Sequence, residues 1–151
     1  MTPKFVKLNE GWNAEPNVPE PKVKVDGCDV LLRFFVNAFC FPEFEDGELG
    51  ILRFVNCERF RLGSTNDEGW YRGQCRFSRL APGWGEFYLV SGDSALLNSP
   101  QDWKIIQPKR NIQLKHFLFY FRDDTFECVA ETCLFEKDPA NLLLRKKTLP
   151  I

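Results

Sequence analysis

The sequence predicts an all-β domain, a single antiparallel sandwich or barrel of roughly seven to nine short strands with an extended N-terminal arm and little helix. Three observations carry that prediction. Short runs of β-branched and aromatic residues recur with a period of two, the spacing that sends alternate side chains to opposite faces of a sheet. Turn-forming residues separate these runs, and no repeat, linker or low-complexity block interrupts them. The chain has 151 residues, 44% of them hydrophobic and 15% aromatic, which is the size of one domain built on one core, residues 1–151.

The elements follow in order. Residues 8–27 contain Pro16, Pro19 and Pro21. Each proline removes a donor and pushes its predecessor towards extended backbone, so the stretch reads as an arm anchored by Trp12. Strands are predicted at Val23–Val25 and Val30–Phe41, on either side of an Asp26-Gly27-Cys28-Asp29 turn. In the second, Val30, Leu32, Phe34, Val36 and Ala38 share the core face, and Leu31, Arg33, Phe35, Asn37 and Phe39 share the other. Residues 41–50 form an acidic turn. Ile51–Leu62 is a long strand whose apolar phase stumbles at Asn56-Cys57-Glu58, which predicts a bulge or a sheet rim, and Gly63 ends it. Phe77, Phe87–Val90 and Trp103–Ile106 are shorter strands, with room for one helical turn started by Ser99-Pro100. Ile112–Arg122 and Thr125–Phe135 form the clearest hairpin, with Phe117, Phe119 and Phe121 on one face and Asp123-Asp124 at the turn. Residues 138–147 read either as a short helix capped by Asp138 and begun by Pro139 or as an irregular tail.

Composition excludes several function classes. No apolar run approaches the ~20 residues a membrane helix needs. The first residues lack the continuous apolar segment of a secretory signal, so the expected compartment is the cytoplasm, with no membrane partner. Net charge is −1. Residues 1–50 carry five basic and nine acidic residues, and residues 51–110 carry nine basic and six acidic ones. Neither part is the strong basic excess of a nucleic-acid binder. Six cysteines and one histidine are present, without a Cys-x-x-Cys pair. Structural thiols are expected, with Cys40, Cys57 and Cys128 inside apolar strand patterns, and no metal. Phosphate-loop, dinucleotide and nucleophile-elbow fingerprints are absent, so no cofactor is predicted.

The candidate site is the glycine-rich and aromatic-rich stretch between Phe60 and Val90. Arg61, Asn66, Asp67, Glu68, Trp70, Tyr71, Arg72 and Trp84 are its binding candidates, because aromatic anchors interleaved with arginines are the composition of protein-recognition hot spots. A minor core beneath a long loop accounts for the same aromatics, and so does a pocket at one end of a barrel. Asp67 and Glu68 can face Arg61, Arg72 or Arg76, and Glu86 and Glu127 can join them. Catalysis, if any, would use His116 as general base with Asp67, Glu68 or Glu127. The plainer alternative for His116 is a rim position bonded to a backbone carbonyl.

The segment Gly11-Trp12-Asn13-Ala14-Glu15-Pro16-Asn17, the loop Gly63-Ser64-Thr65-Asn66-Asp67-Glu68 after Arg61-Leu62, and the run from His116-Phe117 to Asp124-Thr125-Phe126-Glu127-Cys128 together resemble a family of small uncharacterised bacterial proteins. The likeness spans residues 11–135. It implies that Asn66, Asp67, Glu68, His116, Thr125, Glu127 and Cys128 form a shared polar pattern. Families of this kind accompany bacterial toxins as immunity proteins, so the resemblance implies a protein partner, a toxin that this chain would neutralise by occlusion. The alternative is a small-ligand-binding β-barrel or a hydrolase-like enzyme at His116.

Overall fold

Two antiparallel sheets face each other across a phenylalanine-rich core. A computed structural model of the chain describes residues 4–17, 19–64, 86–92, 103–107, 113–121 and 124–137. Among these residues there are ten strands and no helix. They are β1 (Lys4–Lys7), β2 (Lys22–Asp26), β3 (Asp29–Phe35), β4 (Leu49–Val55), β5 (Arg59–Ser64), β6 (Phe87–Ser91), β7 (Lys104–Ile105), β8 (Lys115–Tyr120), β9 (Asp124–Ala130) and β10 (Thr132–Lys137). The six-stranded sheet has the order β1-β6-β8-β9-β5-β7, and the four-stranded sheet the order β10-β4-β3-β2. Of the sandwich or barrel expected, the architecture is the all-β sandwich, with ten strands among the described residues where seven to nine were expected. Strand β1 is short and mostly exposed, so no alternation announces it. The expected strand at Phe77, the turn at Ser99-Pro100 and the helix at 138–147 lie outside the described residues.

The long strand predicted over Ile51–Leu62 is two strands in two sheets. Strand β4 pairs with β10, and β5 pairs with β9. The phase stumble at Asn56-Cys57-Glu58 is where the chain leaves one sheet and enters the other. Asn56 sits at φ 49, in the left-handed region that asparagine tolerates. The run Thr125–Phe135 breaks in the same way between Ala130 and Thr132. The two bends are stitched together: Glu58 N donates to Val129 O at 2.8 Å, and Glu131 N donates to Val55 O at 3.0 Å. Sandwich corners are commonly made by strands that change sheet at such bends. Gly63 does not end β5 but lies inside it, opposite Thr125.

The core follows from the predicted alternation. Val30, Leu32 and Phe34 of β3 and Leu52 and Phe54 of β4 are buried, and they face Phe87, Phe117, Phe119, Phe126 and Cys128 of the larger sheet. Phe54 alone meets the rings of Phe87, Phe117 and Phe126. The N-terminal arm is ordered by its tryptophan. Trp12 stacks on Phe135 with centroids 4.2 Å apart and also meets Phe34, Phe87 and Phe119. A Cβ at Gly50 would lie 2.9 Å from the Phe135 ring, so that glycine lets the stacked pair approach the backbone of β4.

Strand β3 stops at Phe35, well short of the predicted Phe41. Phe39 and Cys40, expected in the strand, therefore sit in a turn. Phe39 is 97% exposed and Cys40 is exposed, whereas Cys57 and Cys128 are buried as expected. No helix among the described residues is long and apolar enough to cross a membrane.

Candidate functional site

The larger sheet has a second buried face, and it is polar at its centre. On β8 the phenylalanines point to the core and His116, Leu118 and Tyr120 point the other way. On β9 the outward residues are Thr125, Glu127 and Val129. On β5 they are Arg59, Arg61 and Gly63. Arg61 stands directly opposite Glu127, and Glu127 opposite Leu118. His116, one alternation back along β8, reaches Glu127 diagonally.

Glu127 is fully buried and both its oxygens are engaged. Arg61 Nη1 donates to Oε2 at 2.7 Å, and His116 Nε2 lies 2.8 Å from Oε1. A carboxylate only accepts, so Nε2 carries the proton. A carboxylate removed from water costs several kcal/mol unless it is paired, and here one full charge and one ring N–H meet it. Gly63 supports the arrangement: a Cβ there would lie 3.0 Å from Arg61 Nη2, so the missing side chain leaves room for the guanidinium.

The cluster continues through Trp103. Its ring meets the His116 imidazole edge-on at 6.4 Å, and the Arg59 guanidinium lies 4.8 Å above it. Arg59 is ion-paired with Glu58 at 3.2 Å. Glu58 belongs to the corner, where its carbonyl accepts from Ile106 N at 2.8 Å. These contacts tie the short strand β7 to the point where β4 becomes β5.

Of the predicted residues, the structure brings together Arg61, His116 and Glu127. The histidine is buried on a sheet face, with Nε2 against a carboxylate. Asn66, Asp67, Glu68, Trp70, Tyr71, Arg72 and Trp84 lie outside the described residues, as does Arg76. Glu86 is elsewhere, accepting from Asn9 Nδ2 and paired with Lys7 at 3.6 Å. Among the described residues no group of three or more His, Cys, Asp or Glu side chains is arranged to hold a metal ion. The described cysteines are thiols. Burial, reinforced by a hydrogen bond with the Cys57 thiol, pushes Cys128 well above the ordinary thiol range, and burial pushes Cys133 up to about 12. Neither is a nucleophile at neutral pH.

A second feature includes the acidic turn expected at residues 41–50. Residues 37–48 carry Glu43, Glu45, Asp46 and Glu48 and no lysine or arginine. The loop is held from within. Phe41 N donates to Asn37 O at 3.2 Å, Phe44 N to Phe41 O at 3.0 Å, Glu48 N to Glu45 O at 2.9 Å and Cys40 N to Asn37 Oδ1 at 3.2 Å. Phe44 is buried and meets Phe135. Phe39 projects from this frame into solvent, and Pro42, Glu43, Glu45 and Asp46 of the same loop are exposed too. The acidic run was read as a turn, but the turn begins earlier than expected, before Phe39. A strand pattern that continued through Phe39 concealed its start.

These features define an all-β sandwich with a buried polar cluster on one sheet and an acidic loop carrying an exposed phenylalanine at the end of β3. Comparison with protein-family models, with curated proteins and with solved structures gives no match to the chain.

Proposed function

We propose that the protein is a protein-binding module that recognises a basic partner through the 37–48 loop, most concretely an immunity-type protein that neutralises a toxin by occluding it. The observation that carries this reading is Phe39, 97% exposed on a hydrogen-bonded loop with three exposed carboxylates. A phenylalanine gains about 1.5–3 kcal/mol when it leaves water, and nothing in the fold takes that gain. An aromatic anchor on a frame that needs no ordering is the arrangement of a binding hot spot. The surrounding carboxylates favour a basic surface and would speed the encounter. The immunity-type part of the reading rests on the sequence resemblance.

The test is differential capture. Immobilised full-length protein, Phe39→Ala and a Glu43→Lys/Glu45→Lys/Asp46→Lys variant are exposed to extract of the native host, and the captured protein is purified for binding measurements. The expected result is one stoichiometric basic partner whose affinity falls at least about thirtyfold with Phe39→Ala. Its association rate falls with the charge reversal and loses its salt dependence. Capture of no stoichiometric partner, or equal affinity for wild type and Phe39→Ala, would overturn the proposal.

The 2.8 Å contact between His116 and Glu127 favours one alternative, a hydrolase-like enzyme with His116 as general base oriented by the carboxylate. His116→Gln separates the two. An enzyme loses turnover of ester or glycoside probes, whereas a binding module keeps its partner affinity.

A further inference from the structure

Strand β10 ends the four-stranded sheet, and its outer edge carries no strand among the described residues. Beside that edge lies a cavity of about 290 Å³ between the two sheets. Leu8 and Trp12 of the N-terminal arm, Leu52 and Phe135 of the smaller sheet, and Leu89 and Phe117 of the larger one wall it. Leu8 is 38% exposed, so the cavity meets solvent there. At the ~30 Å³ a water takes in the liquid, the space holds about ten non-hydrogen atoms.

One charge lines this space. Lys115 shares the core-facing phase of β8 with Phe117 and Phe119, and it is exposed. Inward charges commonly protect an edge strand from pairing, but β8 lies between β6 and β9 and has no edge to protect. Its cross-strand neighbour is Ala130, which offers no polar side chain. Among the described residues the Lys115 ammonium has no ion pair or hydrogen bond, and no aspartate or glutamate lines the cavity. The acids of the surrounding elements are placed elsewhere. Glu131 accepts from Asn56 Nδ2, Glu86 pairs with Lys7, Glu127 faces the opposite side of the larger sheet, Glu136 alternates outward on β10, and Glu10 lines another cavity. Thr132 and Cys133 are the remaining polar lining. Burial pushes the Cys133 thiol up to about 12, so it adds no negative charge at neutral pH.

The occupant follows from this lining. An apolar space with a single cation suits a molecule whose one charge is negative and sits at one end. A peptide would bring backbone N–H and C=O groups against walls that satisfy few of them. We propose that the cavity binds a medium-chain carboxylate, a fatty acid of about eight carbons, with its tail against Trp12, Leu52 and Phe117 and its carboxylate at Lys115. The site lies on the opposite face of β8 from His116 and shares no residue with the 37–48 loop.

The test is titration of full-length protein with octanoate, followed by calorimetry and by amide chemical shifts. The expected result is one site with a dissociation constant below about 1 mM, with shifts centred on Leu8, Leu89, Lys115 and Cys133. Hexanoate, two methylenes shorter, should bind about tenfold more weakly. Octylamine, with the same tail and opposite charge, should also lose about tenfold. Lys115→Met should weaken octanoate about threefold. Lys115→Glu should bind octylamine more tightly than octanoate, an inversion that an unfolded variant would not show. Phe39→Ala should leave octanoate affinity unchanged, so this site and the loop fail or stand separately. The proposal is overturned by no octanoate binding, by equal affinity for octanoate and octylamine in the wild type, or by shifts that map away from the cavity. It is also overturned if the same shifts grow with protein concentration alone, which would assign the cavity to a second copy.

Discussion

The 37–48 loop and the Arg61–Glu127–His116 cluster both concentrate charge and both include an aromatic neighbour, and they use it in opposite ways. In the cluster the charges answer one another. Glu127 has no exposure, and each of its oxygens meets a donor from a neighbouring strand. In the loop the hydrogen bonds join backbone to backbone and the Asn37 side chain to Cys40 N, and Phe39, Glu43, Glu45 and Asp46 are exposed. Charge that is satisfied internally holds β5, β9 and β8 in register. An apolar anchor left in solvent on a hydrogen-bonded frame is available to something else. On the proposed function, recognition belongs to the loop and architecture to the cluster.

The sharpest way to break this comparison is at Glu127. Glu127→Gln removes the buried carboxylate that Arg61 Nη1 meets at 2.7 Å. Removing one partner of such a pair costs about 3–5 kcal/mol, so urea unfolding should show a loss of that order. Adding Arg61→Met should recover part of it, because the stranded charge is gone. A loss below about 1 kcal/mol would show that the cluster does not hold the sheet.

A smaller effect is expected from pH. Burial keeps Cys133 protonated up to about 12, against about 8.5 in an unfolded chain. Above that lower value the folded state binds more protons than the unfolded one, so stability falls as pH rises through this window. The fall should approach about 1.4 kcal/mol per pH unit for each such thiol. Unfolding measured at pH 8 and pH 10 should show a shallower decline in Cys133→Ala than in wild type. An unchanged slope would mean that Cys133 ionises in the folded protein as it does in water.

Much of the fold was legible where burial and alternation coincide. Val30 to Val36 and Phe117 to Phe121 were read with the correct inward face because one face of each is wholly apolar. The bend at Asn56–Glu58 was visible as a lost phase. Its counterpart at Glu131 was not, because Ala130-Glu131-Thr132 keeps a strand-like composition through the turn. Strand β1 was not legible, since an edge strand with little burial carries no strong period, whereas β7 lies within the strand expected at Trp103–Ile106. The cluster was half legible. His116 was placed on the right face, and Glu127 and Arg61 were named, but their meeting depends on the register between β5 and β9, which are distant in sequence. Phe39 was misplaced because alternation alone does not reveal where a strand stops. There the end is set by the bridge of Ala14 to Val36 and by the Asn37 side chain capping Cys40 N.

The smallest expected effect on the fold belongs to the residue expected to matter most for binding. The most direct measurement is therefore made on Phe39→Ala, with partner dissociation constant and unfolding free energy determined on the same preparation. The account predicts an affinity loss of at least about thirtyfold with stability unchanged within about 0.5 kcal/mol. Equal affinity for the two proteins, or a binding loss that merely follows a loss of stability, would contradict it.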